Sequence, residues 1–311
     1  MSIVTARWSE QARRSYAQLI DTLTADGAHE SARRLTEIAI SEGMWRHPLQ
    51  RPSHYLASLP PRPVYDPADF WFCSYLEENY RQIRAELDAQ VDPAVSGFLP
   101  VDEPLVSAGR WDQVVFYESG YRFEDACARF PVTASLIDGI PEAAAAGIGV
   151  VTLSWLAPGT RIVPHCGSTN ARLRVHLGLR TPPGARLRVG DEVLSWEEGR
   201  CLVFDDSFEH EVWHDGESPR VVLIMDVSHP DLEPVIRDRM LASRSSFEAR
   251  IIRFLKDRGM RRVELDHDDV RVLLDERNGA QMIRYMRERG SRAAELRGGK
   301  LVFEPMGETD D

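Results

Sequence analysis

The chain has 311 residues, 43% of them apolar and 28% charged, which excludes disordered, collagen-like and coiled-coil classes. Lysine and arginine number 38 against 49 acidic residues, and the net charge of −11 argues against a protein held mainly on nucleic-acid phosphates. This length gives one large domain or two modest ones, with chain enough to bury a core.

From Trp8 to Trp45, apolar residues such as Ala12, Tyr16, Leu19, Ile20 and Leu23 recur at helical spacing. The pattern breaks at Asp26-Gly27 and resumes through Ala32, Leu35, Ile38 and Ile40, predicting an αα-hairpin. The segment HPLQRPSHYLASLPPRPVYD carries five prolines and reads as an extended loop. A helix over roughly Pro67 to Gln90 follows it.

After residue 95 the texture changes to short β-rich runs bounded by Gly, Pro and Asp: WDQVVFYESG, GIGVVTLSWL, RLRVHLGL, ARLRVG, RCLVF, HEVWH and RVVLIMDV. Their spacing predicts an antiparallel sandwich or barrel. No glycine-rich nucleotide fingerprint links a strand to a helix. From about Pro230 the segment EPVIRDRMLASRSSFEARIIRFLKDRGMRR again has helical spacing with a solvated charged face, and GETDD reads as an acidic tail. The organisation is therefore a helical region over 1–94, a β core over 95–230 and a mainly helical extension over 231–311.

Four scattered cysteines without a CxxC pair fit a reducing compartment. The N-terminus lacks an apolar signal core, and the stretch from Ala143 to Gly159 is too short and broken to span a bilayer. A cytoplasmic protein with no membrane or nucleic-acid partner is expected.

Nine histidines occur, and five fall between 165 and 229: His165, His176, His210, His214 and His229. His165 lies in PHCGSTNARLRVHLGL, after a Pro-Gly turn and ahead of a strand. His210, in FDDSFEHEVWHDG, opens a strand after a turn rich in Asp and Ser. Imidazoles from two sides of a barrel mouth can converge on one metal. Non-haem iron oxygenases use two histidines and a carboxylate, and that carboxylate commonly lies two residues beyond the first histidine. Here the position is Gly167. Either there is no such site, or two imidazoles hold the metal and water fills the gap.

The stretch from Trp111 to Pro230 resembles the aspartyl/asparaginyl β-hydroxylases, iron(II)- and 2-oxoglutarate-dependent dioxygenases. The resemblance rests on PGTRIVPHCGSTNARLRVHLGL, the WEEG at Trp196–Gly199, FDDSFEHEVWHDG and RVVLIMDVSHP, with fainter similarity back to Met44. It implies a mainly β core with flanking helices, a double-stranded β-helix (jelly roll, cupin-like). Animal members of that family also have glycine in place of the third ligand. By resemblance His165 and His210 hold Fe(II), Ser154, Arg174, His176 and Arg220 contact 2-oxoglutarate, and Trp111 borders that pocket. A dicarboxylate does need a guanidinium and a hydroxyl donor, and an unpartnered arginine inside PRVVLIMD is costly unless an anion meets it. Arg172 and Asp206 are weaker candidates for substrate contacts. Asp205, beside Ser207, reads as stabilising the turn, His214 and His229 as structural, and Cys166 as packed inward.

The implied reaction consumes O2 and 2-oxoglutarate, releases succinate and CO2, and hydroxylates the β-carbon of an Asp- or Asn-like residue in a peptide or a free amino acid. Val106 stands where the animal enzymes carry a substrate-binding arginine. Three other readings remain open: an iron halogenase with halide at the Gly167 gap, a hydroxylase of a lipid or another small molecule, and a non-catalytic cupin-like binding protein.

Overall fold

The expected N-terminal hairpin is present as α1 (Glu10–Ala25) and α2 (His29–Ser41). It belongs to a computed structural model that describes residues 8–90, 97–101, 105–118, 121–144 and 149–233, and four short strands beyond residue 263. Ser9 caps α1 by accepting from the Ala12 amide at 3.1 Å, and Gly27 takes the left-handed conformation (φ +76°) that turns the chain between the helices. The proline-rich loop leads through β1 (Val64–Tyr65) and a 3-10 turn at Pro67–Asp69 into α3 (Trp71–Ala89), matching the expected third helix.

Next come β2 (Leu99–Pro100), β3 (Val106–Ala108), β4 (Trp111–Glu118) and β5 (Tyr121–Arg122). Three short helices follow, α4 (Glu124–Arg129), α5 (Pro131–Asp138) and α6 (Pro141–Ala144), which the sequence pattern did not announce. The chain then lays down β6 (Val150–Leu156), β7 (Arg161–His165), β8 (Arg172–Arg180) and β9 (Ala185–Val189). It finishes this unit with β10 (Glu192–Leu194), β11 (Cys201–Phe204), β12 (His210–His214) and β13 (Arg220–Ser228). All seven β-rich runs of the sequence become strands. His165 lies ahead of β8 as expected and also closes β7, a strand the sequence pattern did not announce.

Two antiparallel sheets result. The larger runs β1-β11-β8-β13-β6-β4-β2 with β5 paired to β4, and the smaller runs β10-β9-β12-β7-β3. Period-2 alternation gives the larger sheet two faces. Leu173, Val175, Leu177 and Leu179 of β8, with Val221, Leu223, Met225 and Val227 of β13, pack under α3–α6. Each such buried side chain contributes about 1.5–3 kcal/mol. The opposite face joins Leu156, Phe204, Val222 and Ile224 to Ile162, Leu187, Val189 and Val212 of the smaller sheet. This is the jelly roll with flanking helices. Residues of β8 and β13 that alternate with the outer leucines and valines must point between the sheets, and besides Val222 and Ile224 they include Arg172, Arg174, His176, Arg220 and Asp226.

A second compact unit comprises residues 101–103 and 245–311. Its described strands, β14 (Glu264–Leu265), β15 (Val270–Leu273), β16 (Ala294–Arg297) and β17 (Lys300–Phe303), form an antiparallel sheet in the order β14-β15-β17-β16. Of the extension over 231–311, expected to be mainly helical, these four strands are what the structure describes beyond residue 233. The helical segment after Pro230, beyond residue 233, and the GETDD tail lie outside the described residues.

Candidate active site

His165 and His210 are direct cross-strand partners on β7 and β12 of the smaller sheet, their ring centroids 4.1 Å apart. Each ring is oriented by its own backbone. His165 Nδ1 lies 2.8 Å from the Val163 carbonyl, and His210 Nδ1 lies 2.9 Å from that of Phe208. A carbonyl only accepts, so each Nδ1 donates its hydrogen to the backbone, and Nε2 is the atom of each ring that can ligate a metal. Burial, with His165 alongside, pushes His210 down to about 3, so its imidazole is neutral. Among the described residues no group of three or more His, Cys, Asp or Glu side chains is placed to hold a metal ion.

The space of the missing third ligand is filled from elsewhere. A Cβ built on Gly167 would sit 2.7 Å from the Asp206 carboxylate, and the Gly167 amide donates to the Asp206 carbonyl at 2.7 Å. Asp206 Oδ2 accepts from Arg172 and forms an ion pair with Arg174, each at 3.1 Å, while its buried Oδ1 has no hydrogen-bond partner. Burial alone would raise this carboxyl, but Arg172 and Arg174 outweigh it and hold it below the usual carboxylate range. Arg174 also pairs with Asp226, its cross-strand neighbour, through contacts of 2.8 and 3.1 Å. Two of the three arginines expected at ligands, Arg172 and Arg174, are therefore engaged with aspartates.

Arg220 differs. It is buried, 2% exposed, and no carboxylate among the described residues pairs with it. Its guanidinium lies 4.7 Å from the Trp196 ring centroid, Nη1 is 3.4 Å from Ser154 Oγ, and Nε has no hydrogen-bond partner. Burial alone pushes its pKa down to about 9. Trp111 Nε1 donates to the same Ser154 oxygen at 3.0 Å. Trp196 Nε1 donates to His176 Nδ1 at 3.1 Å, so the neutral His176 carries its hydrogen on Nε2, a buried donor that also lacks a partner. Burial first, then Arg220, holds His176 well below the ordinary imidazole range. Arg220 Nε and His176 Nε2 are thus orphaned donors in a recess bordered by Ser154 and Trp111, and they call for an anionic acceptor.

A profile for the family described as Aspartyl/Asparaginyl beta-hydroxylase matches residues 77–230. The human aspartyl/asparaginyl beta-hydroxylase is 39% identical over 225 residues, 71% of this chain. Residues 77–230 belong to the aspartyl/asparaginyl β-hydroxylase family. The rat aspartate beta-hydroxylase domain-containing protein 2 is 36% identical over 200 residues, 62% of this chain and 58% of that protein. The chain spans only 30% of the length of its human and mouse β-hydroxylase relatives. Val106 is half-buried in β3, paired with Ile162 of β7, and brings no charge to the rim.

Two site residues escaped the sequence reading. Trp196 was visible only as part of WEEG, although it orients His176 and underlies Arg220. Asp226 was hidden within an apolar run. Asp205, read as a turn residue, does accept from the Ser207 amide at 2.9 Å and also from Gln50 Nε2 at 2.8 Å. Burial, with Asp206 adding to it, pushes Asp205 up to about 7. Between the unfolded value and 7 the folded state holds the extra proton, so this group's contribution is full in acid and is lost as pH rises. Asp205→Asn, which stays neutral and finds an acceptor in the partnerless Gln50 Oε1, is expected to gain on the parent protein by about 1–3 kcal/mol between about pH 5 and about pH 8. Melting temperatures at the two pH values measure it, and a difference independent of pH would refute the assignment.

Proposed function

We propose that this chain is an iron(II)- and 2-oxoglutarate-dependent hydroxylase acting on the β-carbon of an Asp- or Asn-like residue, in a peptide or as an amino acid. The single observation that carries this reading is Arg220, a buried guanidinium that no carboxylate among the described residues meets, beside the orphaned Nε2 donor of His176. A buried cation in that state is destabilising unless a ligand anion completes it. A dicarboxylic cosubstrate fits, with Arg220 binding one carboxylate by charge-assisted hydrogen bonds. Ser154, accepting from Trp111 and Arg220, keeps its own O–H to donate, and His176 offers Nε2–H.

The histidine pair fits a divalent metal, since both rings turn Nδ1 to the backbone and the His210 imidazole is neutral. Iron(II) bound there supplies oxygen activation, coupled to oxidative decarboxylation of 2-oxoglutarate to succinate and CO2. The apolar walls from Phe204, Val222, Ile224 and Val212 exclude water from the reacting centre. With Val106 apolar and Arg172 and Arg174 committed to Asp206 and Asp226, the acidic group of a substrate must draw on other residues at the rim. A cytoplasmic setting belongs to the same proposal and rests on the four free cysteines Cys73, Cys127, Cys166 and Cys201.

The halogenase reading loses support at Gly167, because a halide there meets the Asp206 carboxylate. The cupin-like scaffold reading leaves Arg220 unexplained. Anaerobic addition of Fe(II) and 2-oxoglutarate to the purified protein is expected to give a visible charge-transfer band. Incubation in air with Asp- and Asn-containing peptides and amino acids should then yield products heavier by one oxygen, with matching succinate. A protein that binds neither metal nor cosubstrate would refute the proposal.

A further inference from the structure

Asp226 lies between the sheets, fully buried, on the strand that also carries Arg220. Its surroundings fix it from several sides. The Val150 amide donates to Oδ2 at 3.0 Å, and a Cβ on Gly149 would fall 2.4 Å from the Asp226 Cβ, so the backbone closes over it. Arg174 reaches it through Nε to Oδ1 at 2.8 Å and Nη2 to Oδ2 at 3.1 Å, and Arg172 through Nη1 to Oδ2 at 3.5 Å. The same two guanidiniums grip a single oxygen of Asp206, leaving the other without a partner beside Gly167.

We propose that Asp226 is a positioning residue: through Arg174 and Arg172 it holds the Asp206 carboxylate in the space that Gly167 leaves beside the His165–His210 pair. The inference rests on the hydroxylase reading of that pair as the metal site. Its physical content is charge balance in a buried place. Two guanidiniums against two carboxylates are neutral, and the bidentate contact from Asp226 fixes the plane of Arg174, so Nη2, shared between the two aspartates, meets Asp206 Oδ2 in one orientation. Without Asp226, two cations face one carboxylate. One positive charge is then buried without compensation beside a site that must take up a divalent cation, and the Asp206 carboxylate loses its fixed direction. Asp226 acts on the metal site only through Asp206.

The test is a double-mutant cycle on Mn(II) affinity, read by electron paramagnetic resonance in the absence of 2-oxoglutarate. Asp226→Asn keeps an acceptor for the Val150 amide and is expected to weaken Mn(II) binding by about 10-fold, the scale of outer-shell partners of metal ligands. Asp206→Asn should weaken it at least as much, and the double variant should be no weaker than Asp206→Asn alone. A merely structural role for Asp226 would weaken binding equally in either background, and that result overturns the inference. Unchanged Mn(II) affinity in folded Asp226→Asn also overturns it, while leaving the hydroxylase reading in place. A parent protein that takes up no Mn(II) overturns the hydroxylase reading and this inference with it. Should Asp226→Asn fail to fold, Arg174→Gln takes its place in the cycle with the same expected non-additivity.

Discussion

Arg220→Met is expected to abolish 2-oxoglutarate-dependent turnover while making the protein without ligands more stable. Both effects have one cause. The guanidinium is 2% exposed, its Nε has no partner, and no carboxylate among the described residues compensates it. Burial has already driven its pKa down to about 9, against an ordinary value above 12. Because the folded state lowers this pKa, the penalty is constant below 9 and is relieved only as pH rises above it, so neutral pH carries the whole cost. Methionine fills much of the same volume against Trp196 without a charge to desolvate. Replacing buried charges by apolar groups of similar size stabilises proteins by about 1–4 kcal/mol, although the lost cation–π contact takes back about 1. The cosubstrate side runs the other way. Loss of a charge-assisted bidentate contact in a desolvated recess costs about 3–5 kcal/mol, a fall in affinity of roughly 100-fold or more. Thermal melting with and without 2-oxoglutarate, in the presence of Mn(II), reads both. The parent protein should melt lower than the variant without ligand and rise with it, whereas the variant should not respond. A variant that is less stable and still responds to 2-oxoglutarate would show that Arg220 is an ordinary core residue.

The same physics explains what the sequence made legible. β8 and β13 read as strands because leucine and valine recur at every second position, and that alternation also sends Arg174, His176 and Arg220 to the inner face. The helices α1, α2 and α3 followed from their period and from the Asp26-Gly27 break. Strand β7 was missed because RIVPH is short, holds a proline and alternates poorly. Helices α4–α6 were missed because, at 6, 8 and 4 residues, they are too short to set a period. At the site, identities came through and pairings did not. Nothing in RVVLIMDV tells that Asp226 meets Arg174 rather than solvent, since the partner is fixed by register between β8 and β13. The occupation of the Gly167 space by Asp206 is likewise a contact between two loops of the smaller sheet's rim, with no local signal in either.

That contact decides the second large effect. If Gly167 were only an absent ligand, Gly167→Asp would restore a two-histidine, one-carboxylate centre and tighten metal binding. The structure leads to the opposite expectation. The new Cβ would meet Asp206 Cγ and Oδ1 at 2.7 Å, closer than any real contact, and the neighbour is not the far end of a flexible chain. Asp206 cannot swing aside, because Arg172 and Arg174 hold its other oxygen at 3.1 Å and its backbone carbonyl accepts from the amide of residue 167 itself. A second carboxylate would also be buried against the first, and like charges at that distance cannot both ionise cheaply. Gly167→Asp is therefore expected to lose about 3 kcal/mol of stability, the scale of overpacking joined to an unpaired buried charge, and to bind Mn(II) more weakly than the parent. Adding Asp206→Gly frees the space and offers Arg172 and Arg174 the carboxylate of the new residue, so the double variant should regain much of the lost stability although each change alone destabilises. Denaturant unfolding of the four proteins measures the coupling, and a single variant as stable as the parent with tighter Mn(II) binding would show that the Gly167 space is open. A carboxylate already occupies that space, which is why glycine is required at a position where related iron sites carry a ligand.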